Sequence, residues 1–387
     1  MVVSLTRPPA SAAVRFESLD ALRGICALFV ALFHFRADGL IVSSALVRNG
    51  WLFVDYFFVL SGFVIAHGYG TKLNEGKITP ARFLALRLAR IYPLHLAVLL
   101  GYVLMELVLL VLSDQLSGLT SREAFSGSRD GLSLIENLLL LQGLGFRDGL
   151  TWNGPSWSIS AEFWTYAAFA GLLTLRGRVL ALACGILAIT ALAYIAYTSD
   201  TLDLTYDFGV VRAVLGFALG VLTYLGFRRF GGPQGMFWEV LALTAAFAFV
   251  AFSTSRITMA APFIFGATIW LLAAEGGGLT KVLRSKFFQT LGLLSYSIYM
   301  VHVFVQARLG EGLQLFGLAG ISSDAQGITH IAAPPLVGDA LTLLMLGVVV
   351  ATSWFTYRLV EEPGKRMLSS LLLRNSATSR ERQSEVE

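Results

Sequence analysis

Ten apolar stretches, each about as long as a bilayer-crossing helix, succeed one another along 387 residues. They fall near 20–38, 51–69, 91–112, 155–175, 179–197, 208–226, 236–253, 259–274, 288–308 and 338–360. About 20 helical residues cross the hydrocarbon core of a membrane. No backbone N–H or C=O can face lipid unpaired, so these stretches are expected to be helices. The fold class that follows is an all-α integral membrane protein, a polytopic bundle of about ten transmembrane helices. Composition excludes an ordinary soluble domain, since 56% of residues are hydrophobic and only 14% charged. The segment 132–145 is too short to cross and is expected to be re-entrant or interfacial.

Loop charges give an orientation. Lys72, Lys77, Arg82, Arg87 and Arg90 lie between the second and third stretches. Arg176 and Arg178, Arg228 and Arg229, then Lys281, Arg284 and Lys286 follow in every second connection. Arg7 and Arg15 precede the first stretch, and Lys365, Arg366 and Arg374 follow the last. Basic loops stay in the cytoplasm, so both termini are expected there. The chain then divides into a cytoplasmic tail 1–16, a transmembrane domain 17–366 and a cytoplasmic tail 367–387. The N-terminal segment 1–18 and the end from Ser376 read as disordered, and no cleavable signal peptide is expected at the start. Cys26 and Cys184 sit in apolar runs and read as small buried hydrophobes rather than a disulfide. The five histidines form no close ligand pair in the sequence, so no metal is expected. No basic run interleaved with aromatics suits nucleic acid.

The first stretch, LDALRGICALFVALFHF, carries Arg23 and His34. Eleven residues at about 100° each make roughly three turns, so both project from one face, about 16 Å apart along the axis. Ionisable groups at membrane depth are functional candidates by default, and a shared stripe implies a polar cavity rather than lipid. Asp55, Glu162 and His302 fall at depths that match His34, and the four are expected to meet in an outer chamber. A structural ion pair is the competing reading for each. At the other end Arg87 and Arg90, three residues apart, share a face and with Arg23 would make a basic mouth for phosphates. Obedience to the charge rule alone is the competing reading there.

Taken together, these segments resemble the acyltransferase-3 family of integral membrane acyltransferases. The motifs are the Arg23–His34 spacing, VDYFFVLSGFVIA, RLARIYP, WNGPSWSISAEFW, SYSIYMVH and YRLVEEPGKR, in that order over about 17–366. Tyr56 stands where that family more often has an apolar residue. The resemblance implies transfer of an acyl group, usually acetyl, from cytoplasmic acyl-CoA to a hydroxyl of an extracytoplasmic glycan or other acceptor. It implies essential roles for Arg23 and His34 and a donor-side role for Arg87 and Arg90. Some members carry a fused esterase-like domain, for which this chain has no room.

On that reading the acyl-CoA nucleotide sits at Arg23, Arg87 and Arg90, and its thioester reaches outward to His34. Histidine suits a general base near neutral pH. Asp55 or Glu162 would orient its ring, and an acyl-histidine relay is the main variant. Trp157 and His302 are expected at the substrate. The oxyanion donor is open between the amides near Ser61 and Gly62 and the Trp157 indole. The expected setting is a bacterial plasma (inner) membrane. O-antigen, exopolysaccharide, another envelope glycan or a small molecule such as a macrolide would serve as acceptor. The rival class is a proton-coupled transporter, which also buries His, Asp and Arg between helices. Such folds often carry paired broken helices in matching halves, and the sequence lacks them.

Overall fold

A computed structural model describes residues 5–6, 15–113, 122–317, 320–323 and 329–372. The end from Ser376, expected to be disordered, lies outside these residues, as do 1–4 and 7–14; of the rest of that expected N-terminal disorder, residues 5–6 form a strand and 17–18 open a helix. A long helix lies on each of the ten apolar stretches. They are α1 (Glu17–His34), α2 (Phe53–Ile65) and α3 (Pro80–Val111), then, after a short α4 (Gly131–Leu138), α5 (Trp157–Leu172), α6 (Gly177–Thr198) and α7 (Gly209–Phe230). After these come α8 (Met236–Phe252), α9 (Ala261–Leu272), α10 (Lys286–Leu315) and α11 (Pro335–Thr356).

Among the described residues, seven helical stretches are long and apolar enough by themselves to cross a membrane: Gly50–Asn74, Pro80–Val111, Gly177–Thr198, Gly209–Phe230, Ser255–Leu272, Lys286–Leu315 and Pro335–Leu372. The three other windows hold α1, which has Glu17, Asp20 and Arg23 in its first two turns, and the shorter α5 and α8. Leu104 and Leu107 on α3, Leu182, Ile186 and Ile189 on α6, Leu241 on α8, and Leu343 and Leu344 on α11 are all exposed. Water would not tolerate such a surface, and lipid does. The protein is a multi-pass, all-α membrane protein.

The interior is set by helices that touch backbone to backbone. α1 runs alongside α10, and a Cβ on Gly24 would collide with the backbone of Leu291, one on Gly292 with that of Asp20. α2 meets α7 in the same way, through Gly62 against Phe217 and Gly220 against Val59. In lipid, where apolar burial does not drive helices together, such close van der Waals contact is what holds them. α2 is consequently the central helix, buried along nearly its whole length. It passes into a π-helical turn, Ala66–Gly70, and α11 into another, Tyr357–Glu361.

The segment expected to be too short to cross, re-entrant or interfacial, forms no spanning helix. α4 is eight residues long, and the chain then runs irregularly to Asn153. Non-helical backbone at this depth must find partners inside the protein. Here side chains supply them. Ser160 and Trp164 both donate to the Leu140 carbonyl, Ser160 Oγ accepts from the Gly143 amide, and Gln142 donates to the Ser156 carbonyl. Asn137 bridges the Ser133 carbonyl and the Thr151 hydroxyl, while His95 Nε2 lies 2.9 Å from the Asn137 carbonyl.

Two small antiparallel pairs complete the fold, β1 (Leu5–Thr6) with β2 (Gly232–Pro233) and β3 (Gly320–Ser323) with β4 (Thr329–Ala332). The β4 backbone binds the chain just past His34: the Ile331 amide donates to the Arg36 carbonyl, and the Asp38 amide to the Ile331 carbonyl.

Candidate active site

A cavity of about 160 Å³ opens between α1, α2, α3, α5 and α10. Its charged lining is Arg23, Arg87, Arg90 and Glu162. Ser61, Ser158, Tyr166, Ser295, Tyr296 and Tyr299 add hydroxyls, and the remainder is apolar. The three arginines expected at one mouth are therefore brought together.

Each arginine is held differently. Arg23 donates from Nε to Ser295 Oγ at 2.8 Å and from Nη2 to the Gly292 carbonyl at 2.9 Å, and Asp20 lies 3.2 Å from Nη2. Arg90 is 3.3 Å from the buried carboxylate of Glu361, which also accepts from Ser297 Oγ at 2.7 Å. Arg87 lies over the Tyr69 ring at 4.9 Å and donates to its hydroxyl at 2.9 Å. Phe83 and Tyr166 wall its other sides. Its buried Nε has no hydrogen-bond partner, and among the described residues no carboxylate pairs with it. A guanidinium stacked on aromatics but lacking an anion is suited to receive one from outside the protein.

Glu162 is on this cavity, not beside His34. One of its oxygens accepts from Ser61 Oγ at 2.7 Å and from the Tyr166 hydroxyl at 2.6 Å. Ser61 and Gly62 lie inside α2, so their amides are engaged in the helix's own hydrogen bonds and cannot serve an oxyanion.

Beyond Tyr299, at the other end of α1, His34 and His302 face each other. His34 Nδ1 is 3.2 Å from His302 Nε2, and the ring centres are 4.8 Å apart. These histidines are 268 positions apart in sequence, which is why no ligand pair was visible there. Among the described residues no third His, Cys, Asp or Glu joins them in a metal-binding cluster. The α1 stripe is as expected: Arg23 and His34 both meet α10, near its start and its middle. The Tyr299 ring, 5.8 Å from that of His302, connects the pair to the cavity, and its hydroxyl is 2.7 Å from Ser158 Oγ.

Asp55 does not join the histidines either. Both of its oxygens are taken by Arg212, at 3.0 Å from Nε and 2.7 Å from Nη2. Arg212 also reaches Asp203 at 3.3 Å and lies over the rings of Trp51 (5.0 Å) and Trp157 (5.5 Å). Trp157, expected at the substrate, thus packs on a buried ion pair. The expected outer chamber of four residues resolves into a histidine pair, a cavity carboxylate and a buried ion pair.

Sequence reasoning passed over Arg212 and Glu361. Arg212 had a visible signal, since an arginine within GVVRAVLGFALG needs a buried carboxylate. Glu361 lay in a quoted motif without a role, and it sits in the π-helical turn that follows α11.

A family model described as an acyltransferase domain matches residues 16–358. The acyltransferase MdmB of Streptomyces mycarofaciens is 28% identical over 92% of this chain and 93% of its own length. Protein 2 in the picA locus of Rhizobium radiobacter is 36% identical over 178 residues, which are 44% of this chain and 90% of that protein. No solved structure gives a significant match. With the family model spanning most of the chain and the helices in place around one arginine-lined cavity, this protein belongs to the acyltransferase-3 family of membrane acyltransferases.

Proposed function

We propose that the protein is an O-acyltransferase that moves an acyl group, acetyl in the first instance, from acyl-CoA to a hydroxyl of an extracytoplasmic glycan such as O-antigen or exopolysaccharide. The setting is a bacterial inner membrane with both termini in the cytoplasm. The observation that carries this reading is Arg87, stacked on aromatics and without a carboxylate partner among the described residues, in one cavity with Arg23 and Arg90. CoA brings phosphates to such a cluster, and arginine binds them through forked hydrogen bonds. On this reading the pantetheine arm enters the cavity of about 160 Å³ and the nucleotide stays at its mouth.

The acceptor oxygen attacks the thioester carbon, the carbon–sulfur bond breaks, and His34 takes the hydroxyl proton that later returns to the CoA thiolate. Transient acylation of His34 is the variant. The test is transfer from radiolabelled acetyl-CoA to the envelope glycan fraction, comparing wild type with His34→Ala at equal expression. Loss of label with CoA binding retained is the expected result. A mutant that labels as well as wild type overturns the role of His34.

A further inference from the structure

The hydrogen-bond partners around the two histidines fix where their protons are. His302 Nδ1 lies 2.7 Å from the Tyr299 carbonyl and 3.2 Å from that of Ile298. Carbonyl oxygens only accept, so Nδ1 carries the hydrogen. A neutral imidazole has a single N–H, which leaves His302 Nε2 as a lone pair. That lone pair points at His34 Nδ1, 3.2 Å away, and the Val30 carbonyl lies 2.9 Å from the same atom. Two acceptors converge on His34 Nδ1, so it too is protonated. The free basic atom of His34 is therefore Nε2.

Among the described residues, neither carboxylate expected at His34 bonds to its ring. Both oxygens of Asp55 are bound to Arg212, and Glu162 accepts from Ser61 and Tyr166 on the cavity. We propose that His302 is a positioning residue of the transfer reaction: a neutral imidazole that holds His34 as the Nδ1–H tautomer, with Nε2 left as the base. This rests on the role of His34 given above. The chemistry favours a neutral partner at this depth. A buried carboxylate would draw a proton onto His34 at rest and occupy the lone pair that the reaction uses. His302 accepts the Nδ1–H bond without charging the ring. When His34 Nε2 takes the hydroxyl proton, the ring becomes an imidazolium, and its Nδ1–H bond to His302 strengthens as the charge develops. Stabilisation thus grows toward the transition state, the form of binding that raises kcat.

The test compares His302→Phe, which keeps the ring's size but offers no acceptor, with His302→Gln, whose amide oxygen can stand near the Nε2 position. Steady-state transfer from acetyl-CoA and thermal unfolding in detergent are measured for both. The tautomer of His34 is read in histidine-selective ¹⁵N spectra of the wild type, assigned against His34→Ala. Loss of the partner that orients a metal-bound histidine costs about 10–100-fold, and a comparable loss is expected here. His302→Phe should accordingly lose about 100-fold in kcat with the KM for acetyl-CoA and the unfolding temperature nearly unchanged, and His302→Gln should recover most of the loss. The spectrum should show Nδ1–H at His34. Wild-type activity in His302→Phe, equal loss in both variants, or an Nε2–H tautomer at His34 overturns the proposal. The spectrum needs no substrate, so it decides the proton's position even if the wild type transfers nothing from acetyl-CoA, a failure that belongs to the functional reading.

Discussion

Asp55 and Arg212 meet fork to fork, both carboxylate oxygens bound by two nitrogens of one guanidinium, and neither side chain reaches solvent. The pair joins α2 to α7 beside their glycine crossing. Breaking a buried ion pair from one side leaves a bare charge, at a cost of about 3–5 kcal/mol, whereas replacing both partners with apolar side chains is often neutral. Asp55→Asn or Arg212→Gln should each lower the unfolding midpoint in detergent sharply. The double variant Asp55→Leu/Arg212→Met should regain most of the stability and keep acyl transfer. An inactive but stable double variant would return Asp55 to the reaction.

Arg87 should not tolerate lysine. Its planar group stacks on Tyr69 while presenting a free N–H, and an ammonium cannot do both. Arg87→Lys and Arg87→Gln are both expected to raise the KM for acetyl-CoA about tenfold with a smaller change in kcat. Steady-state kinetics at varied donor concentration check this; an unchanged KM in Arg87→Gln removes Arg87 from the donor site.

Gly292 has no room for a side chain, because Asp20 backbone lies where its Cβ would be. Gly292→Leu should force α1 from α10, separating His34 from His302 and Arg23 from Ser295. Folded yield by size-exclusion chromatography should fall severely, and any folded fraction should be inactive. Gly185, with open space around it, is the control: Gly185→Leu should behave as wild type.

Asp130, at the start of α4, gives a pH-dependent signal. The Ser133 amide, together with Arg147, holds its carboxyl below the usual range. A carboxylate so depressed stabilises the fold above its unfolded pKa of about 3.9 and loses that contribution as pH falls through the lower folded value. Amide exchange across 131–138, corrected for its intrinsic pH dependence, should therefore show weaker protection at pH 3 than at pH 6. Asp130→Ala should weaken protection at pH 6 and largely remove the difference between the two.

The helices were legible because hydropathy and length are local properties, and the ten apolar stretches each became a helix. The Arg23–His34 stripe was legible for a related reason, since one helix fixes the angle between its own residues. Partner choice between helices was not. Asp55 and His34 share a depth, but depth does not say which face turns where, and Arg212 competed for Asp55 from a helix 157 residues away. Glu162 likewise lay near the expected level but faces α2 and the arginines. The His34–His302 contact required knowing that α1 and α10 are neighbours, which rests on Gly24 and Gly292, two residues with no chemistry of their own.

Arg23 and His34 are borne by one uninterrupted helix, pressed along its length against a second. Their separation is thus a rod length of eleven steps of about 1.5 Å, and no loop can relax it. The chain carries a built-in gauge. If the donor is held at Arg23 and reacts at His34, as proposed above, its own reach must match that length.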